Sequence, residues 1–304
     1  MTEAHAMDGT GLIELRSSTM TAHLRLQGGA MLSLWWGAGE NGVPLLRPSL
    51  PDGTAPIDTA GFPLVPFGNR LGSNRFSCGG KTYALEPNSD LDPLYIHGDG
   101  WLERWSLQDQ GTSGATLAYR HRGTNGPYRY LAEQRFSLDD ERLSLRLAVT
   151  NEGDDTLPFG LGWHPYFVLA DDTTLQFSAS SVRPEGAGSL PGPAVIPAGA
   201  FDFGKARRFP AARLNNGYSG WDGTALIRYP RHALELEVSA DPVFAHAFLY
   251  APFGEANAGF FCFEPMSHMA DDHNRDGFGD LRLLEPGQRL EGSIRLAPRS
   301  RRPD

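Results

Sequence analysis

Apolar and polar side chains alternate along three separate stretches of the chain, Leu143–Thr150, Leu234–Ser239 and Leu290–Leu296. A period of two sends successive side chains to opposite faces of an extended backbone, so each stretch predicts a strand with one buried face. Thr224–Tyr229 reads as another strand, preceded by a polar loop over 213–223, and the apolar run after Gly259 reads as a strand ending in the carboxylate of Glu264. No long segment repeats apolar residues at helical spacing behind a capping residue, so helix should be scarce. Thirty-six glycines and 23 prolines divide the chain into short pieces. Neither a repeat nor a linker marks a boundary, and the Pro/Gly/Ala-rich stretch 184–200 reads as an excursion between strands. The expected architecture is all-β, a large single-domain antiparallel β-sandwich over residues 11–298 with flexible ends at 1–10 and 299–304.

Composition narrows the partners. The chain has 304 residues, enough to bury a large core, and 27 basic against 36 acidic residues give a net charge of −9. That sign is wrong for tracking a phosphate backbone, so nucleic acid is not an expected partner. The first ten residues show neither a basic nor an apolar leader segment, and no later run has the length of a membrane span. The expected location is the cytoplasm, away from membranes. Cys78 and Cys262 lie far apart, without zinc spacing or a disulfide framework, and read as packed thiols.

Five stretches carry candidate chemistry. In Gly160-Leu-Gly-Trp-His164-Pro-Tyr-Phe167, the proline restrains the backbone around the histidine. Imidazole is the side chain most easily set to move a proton near neutrality, and Trp163, Tyr166 and Phe167 could form a wall against a sugar face. A core histidine beside a strand end would read the same way. Asn69 and Arg70 sit in an irregular segment fixed by prolines and glycines, where amide and guanidinium donors suit hydroxyl oxygens. His97 follows a short apolar run and precedes Gly98, which places it at a strand end entering a tight turn, with Trp101 and Trp105 nearby as core or stacking surface. Asn215 and Asn216 read equally as turn residues. Glu264, among Phe261, Cys262, Phe263 and Pro265, is the least structural-looking charge, and desolvation there favours a raised pKa and acid or base work.

Taken in order, Asn69-Arg70, His97-Gly, His164-Pro-Tyr-Phe and Cys262-Phe-Glu264-Pro, followed by Ser267-His268 and Asn274, resemble the aldose 1-epimerase (galactose mutarotase) family over about Leu24 to Leu296. The resemblance implies a β-supersandwich and interconversion of the α and β anomers of a free monosaccharide without a cofactor or metal. It implies Glu264 as general base and His164 as general acid, with Arg70, His97 and Asn69 on the sugar. Asn215 stands where the family usually has an aspartate, which implies weaker or altered sugar binding. A monomer or homodimer fits equally. Mutarotation needs one base on the anomeric hydroxyl and one acid on the ring oxygen, so this set is chemically sufficient.

Three alternatives compete. A non-catalytic sugar-binding module would use the same aromatics. A glycoside hydrolase needs two carboxylates flanking the bond, for instance Glu264 with Asp99 or Asp222. A hexose-phosphate mutarotase needs clustered arginines, for which Arg75 and Arg104 are scattered candidates. Finally, Asp272–Asp280 has the opening of a calcium loop, but its closing position falls on Leu283, so no calcium site is expected.

Overall fold

The computed structural model describes residues 11–37, 41–49, 55–252 and 259–301. Two large antiparallel sheets dominate it. The first has ten strands, ordered Leu12–Arg16, Met20–Arg25, Ala30–Trp36, Gly61–Leu64, Gly162–Val168, Phe260–Met266, His246–Ala251, Leu214–Ser219 and Ser181–Arg183, with Val43–Pro44 added beside Ala30–Trp36. The second has nine, ordered Arg207–Arg208, Thr174–Phe177, Thr224–Tyr229, Leu234–Ala240, Arg289–Ser300, Leu143–Asn151, Tyr130–Leu138, Gly114–His121 and Ser106–Gln110. Helix among the described residues is confined to three-residue 3-10 turns.

The alternating stretches are three adjacent strands of the second sheet, and their period explains its single buried face. In Leu234–Ala240 the leucines and valine are buried while Glu235 and Glu237 lie between them. Those apolar side chains meet Ile13, Leu15, Phe261 and Phe263 of the first sheet in one continuous core. Burying this much apolar surface between two sheets is the main stabilising term of such a sandwich, at roughly 25 cal/mol per Å².

The first sheet is covered on both faces at its centre. Gly162–Val168 and Phe260–Met266 are buried almost throughout. Their odd-numbered aromatics, Trp163, Phe167, Phe261 and Phe263, enter the main core, whereas Tyr166, Cys262 and Met266 join Phe62, Leu64 and Trp101 in a second cluster on the opposite face. That second face carries the candidate chemistry.

Four local expectations are corrected. Leu214–Ser219 is a strand paired with His246–Ala251, because a neighbouring strand supplies the hydrogen bonds that its Asn-Asn-Gly sequence would otherwise seek in a turn. Glu264 lies inside its strand, two residues before the end. Trp163 and Phe167 point into the core and Trp105 joins them, so of the aromatics flanking His164 only Tyr166 faces outward. The last strand runs to Ser300, so 299 and 300 belong to the sheet, and residues 1–10 and 302–304 lie outside the described part.

Candidate active site

An open cavity of about 280 Å³ sits on the second face of the ten-stranded sheet. Asn69, Arg70, His97, His164, Asn215 and Glu264 all line it, so the structure brings together every sequence-predicted site residue from segments up to 195 positions apart (264 − 69).

Strand register places the central pair. Gly162 is opposite Met266 and Tyr166 is opposite Cys262, so His164 and Glu264 stand across from each other between them. The His164 Nε2 atom lies 3.3 Å from Glu264 Oε1, and both side chains are buried. Each keeps one buried polar atom without a protein partner, Nδ1 on the histidine and Oε2 on the glutamate. Burial drives both groups toward neutrality: the Glu264 carboxyl is pushed up to about 8, with Arg70 pulling the other way, and His164 is pulled down to about 3. The pair therefore holds a single proton across neutral pH, resting on the carboxyl. His164 stacks on Phe62, with ring centroids 4.6 Å apart, which fixes its plane.

His97 is set by its backbone and by Asn69. Its φ of 62° and that of Gly98 at 69° turn the chain sharply, and a side chain on Gly98 would meet the Val65 carbonyl at 1.9 Å. Instead of ending a strand, the residue follows an isolated bridge between Ile96 and Arg70. The Asn69 amide donates to His97 Nδ1 at 3.1 Å, which leaves the ring proton on Nε2 as a fixed donor. Burial, then His164 and Arg70, hold the His97 pKa well below its usual value. The two imidazoles meet edge to face at 5.2 Å.

The Asn69–Arg70 segment is anchored from the far end of the chain. The Gly68 amide donates to His268 Nε2 at 3.1 Å, Gly72 donates to Asp271 Oδ1 at 2.8 Å, and Asn274 donates to the Gly72 carbonyl at 3.2 Å. Ser267 Oγ accepts from the Leu161 amide, at the entrance to the His164 strand. His268 and Asn274 are thus anchors of the site wall and not part of the cavity lining. The calcium-like run also serves as internal structure. Asp272 Oδ2 accepts from Met269 and Asp280, and two 3-10 turns occupy the segment.

Three charged residues lie beyond the sequence reading. Asp92 lines the cavity and accepts from Arg70 Nε at 2.7 Å. Glu185 pairs with Arg213, another lining residue, and accepts from Asn215 Nδ2 at 2.7 Å. Only a carboxylate at a turn before Pro93 and one in the 184–200 excursion were visible in sequence, with no pattern tying either to the site. Phe248 and Tyr250 complete the wall: Asn215 is opposite Tyr250, and Asn216, one residue on, turns away and uses its Oδ1 to accept from the Glu185 amide. Arg47 lies over the Tyr166 ring at 4.2 Å and donates to the carbonyl of Thr59, bracing that aromatic from behind.

The alternatives fare differently. Asp99 is tied to Tyr95 and His121, Asp222 caps Thr224, and neither lines the cavity. Arg75 and Arg104 are likewise outside it, while its two arginines, Arg70 and Arg213, each already face a carboxylate.

Known proteins show the same arrangement of chain. The profile described as Aldose 1-epimerase matches residues 11–297. The uncharacterised protein YphB of Escherichia coli K12 is 39% identical over 276 residues, covering 89% of this chain and 92% of YphB. A crystal structure of a candidate aldose 1-epimerase, also from Escherichia coli K12, superposes with a TM-score of 0.89 at 36% identity, covering 95% of this chain and 99% of that one. A galactose mutarotase-like protein from Clostridium acetobutylicum shares the fold at a TM-score of 0.81 and 17% identity, with 94% of both chains covered. With the profile spanning both sheets and every segment that builds the cavity, the chain belongs to the aldose 1-epimerase family.

Proposed function

We propose that the protein interconverts the α and β anomers of a free aldose, with Glu264 and His164 moving the two protons. The observation that carries this reading is the 3.3 Å contact between those two groups at the floor of an open, aromatic-walled cavity. The proton first passes from the Glu264 carboxyl to His164 across their 3.3 Å contact; in ring opening Glu264 then takes the anomeric hydroxyl proton while His164 gives its own to the ring oxygen. Rotation about C1–C2 follows, and reclosure reverses both transfers. The single proton held by the pair suffices for the cycle, because opening leaves it on Glu264 and closing returns it to His164. His97 Nε2–H and Arg70 supply donors for sugar oxygens, and the pairing of Arg70 with Asp92 keeps the guanidinium in one orientation.

A neutral sugar fits better than a sugar phosphate, since both cavity arginines have carboxylate partners. Acid–base action fits better than passive binding. A sugar-binding module gains nothing from a desolvated carboxyl facing a histidine, and burying that group costs stability. Polarimetry on freshly dissolved α-anomers, with the spontaneous rate subtracted, tests the reading, and NMR anomer exchange across an aldose panel identifies the sugar. A protein that binds a sugar without accelerating its mutarotation would instead be a binding module.

A further inference from the structure

Just beneath the cavity floor lies a thiol that proton transfer does not use. Cys262 lies two residues before Glu264 on the same face of the same strand, and opposite Tyr166. Its Sγ, a ring nitrogen of His164 and a carboxylate oxygen of Glu264 all lie within 4.8 Å of one another, and among the described residues this is the one group of its kind. The donors are a thiol, an imidazole and a carboxylate, the mixture that suits zinc.

We propose that Cys262, His164 and Glu264 form a three-ligand site for a thiophilic divalent cation, with zinc as the representative ion, and that its occupancy blocks the site to sugar. The spacing supports it. Two ligand atoms each about 2.0–2.1 Å from a tetrahedral zinc stand about 3.3 Å apart. The His164–Glu264 contact is 3.3 Å, so only the thiol has to draw closer. Glu264 Oε2 is buried without a protein partner, a carboxylate oxygen free to ligate or to orient a bound water. Charge closes as well: a dication with one thiolate and one carboxylate is neutral, which suits donors as buried as these, packed with Phe62 and Tyr166. Arg70, the cation facing Glu264, is already paired with Asp92 and so opposes the ion less. The cavity itself leaves room for the fourth ligand, water.

Binding releases the thiol proton and the proton shared by His164 and Glu264, so affinity rises with pH. The bound ion takes the Nε2 lone pair and the carboxylate, the two groups that would otherwise move protons. Metal binding stands independently of the anomer chemistry; only the inhibition rests on that reading.

Cobalt(II) gives a readout separate from activity. Adding it to the whole purified protein is expected to produce a thiolate-to-cobalt charge-transfer band and the intense visible bands of a tetrahedral ion, both displaced by zinc. Equilibrium dialysis with zinc should show one site, weakened at least about tenfold in Cys262→Ala, His164→Asn and Glu264→Gln, given that losing even an outer-shell partner costs about 10–100-fold. Cys262→Ser covers the case in which the alanine variant does not fold. In anomerase assays zinc should raise the apparent KM of the wild type and leave Cys262→Ala far less affected. Absence of the charge-transfer band at saturating cobalt overturns the proposal, as does zinc affinity that survives in all the ligand variants.

Discussion

The His164 imidazole and the Glu264 carboxyl face each other at 3.3 Å from directly opposed positions on neighbouring strands, each followed by a proline. Neither Pro165 nor Pro265 has an amide hydrogen, so each site residue is followed by a position that donates nothing to the sheet. Restrained backbones and packing set both side chains before any sugar arrives.

Removing either partner should stop turnover while leaving the fold intact. Glu264→Gln and His164→Asn are each expected to lower kcat by about 10²–10⁴-fold, with little change in sugar binding. The double variant should fall little further, since the two groups serve one step. Polarimetry of the four proteins checks this, and additive losses would show that the groups act separately.

The proton count sets a pH dependence. Between about 3, where His164 titrates, and about 8, where Glu264 titrates, the pair carries one proton. Above that upper value the last proton leaves, and no acid remains for the ring oxygen. The expected kcat/KM is level through neutrality and then falls about tenfold per pH unit on the alkaline side. A profile level well beyond Glu264's titration would show that the carboxyl's proton is not the one that matters.

Stability carries the same signature. Glu264 has its pKa raised in the folded protein from 4.5 to about 8, so the folded state holds a proton that the unfolded chain releases. This group's stabilisation is complete below the lower value and is lost as pH rises through the upper one. Glu264→Gln keeps the shape and cannot ionise. Its melting temperature relative to wild type should therefore climb by several degrees between about pH 5 and about pH 8.5. A pH-independent difference measured by calorimetry would contradict the assigned shift.

Asn215 is expected to respond to its neighbour. Its Nδ2 sits 2.7 Å from Glu185 Oε1, so Asn215→Asp would bring two carboxylates into contact. The single variant should bind galactose or glucose no better, and should lose stability. Adding Glu185→Gln restores a donor beside the new acid, and the double variant should lower KM. Steady-state assays of both variants separate this from a direct effect of charge at Asn215, which would lower KM in the single variant as well.

Calcium should leave the protein unchanged. Asp272 Oδ2 is committed to the Met269 and Asp280 amides, its Oδ1 faces Arg275 at 3.4 Å, and Asp271 is committed to Gly72 and Asn274. A melting temperature that rises with calcium and falls again with EDTA at constant ionic strength would reverse this expectation.

Periodicity made four of the nine strands of the second sheet legible. Thr224–Tyr229 is a strand with the bounds read from sequence, and the alternating stretches lie inside Leu143–Asn151, Leu234–Ala240 and Arg289–Ser300. The first sheet was harder, because strands covered on both faces lose the alternation that reveals them. That is why Trp163 looked like part of a sugar-stacking wall: sequence gives the aromatic but not which face is the cavity. The site residues were legible through motifs, as proline, glycine and aromatic neighbours mark His164, His97 and Glu264. Asp92 and Glu185 were not, since each reaches the site through a side-chain pairing that leaves no local pattern.

The bond from Gly68 to His268 spans 200 residues and fastens one wall of the cavity to the bend just past the strand that bears its floor. Loop closure over such a distance is among the slowest contacts a chain makes. The site wall therefore lacks this anchor in a nascent chain until residue 268 has left the ribosome, and in any fragment cut before it. A truncated chain could retain much of its sheet structure and still have no sugar pocket, so assembly of the pocket reports completion of folding more faithfully than strand content does.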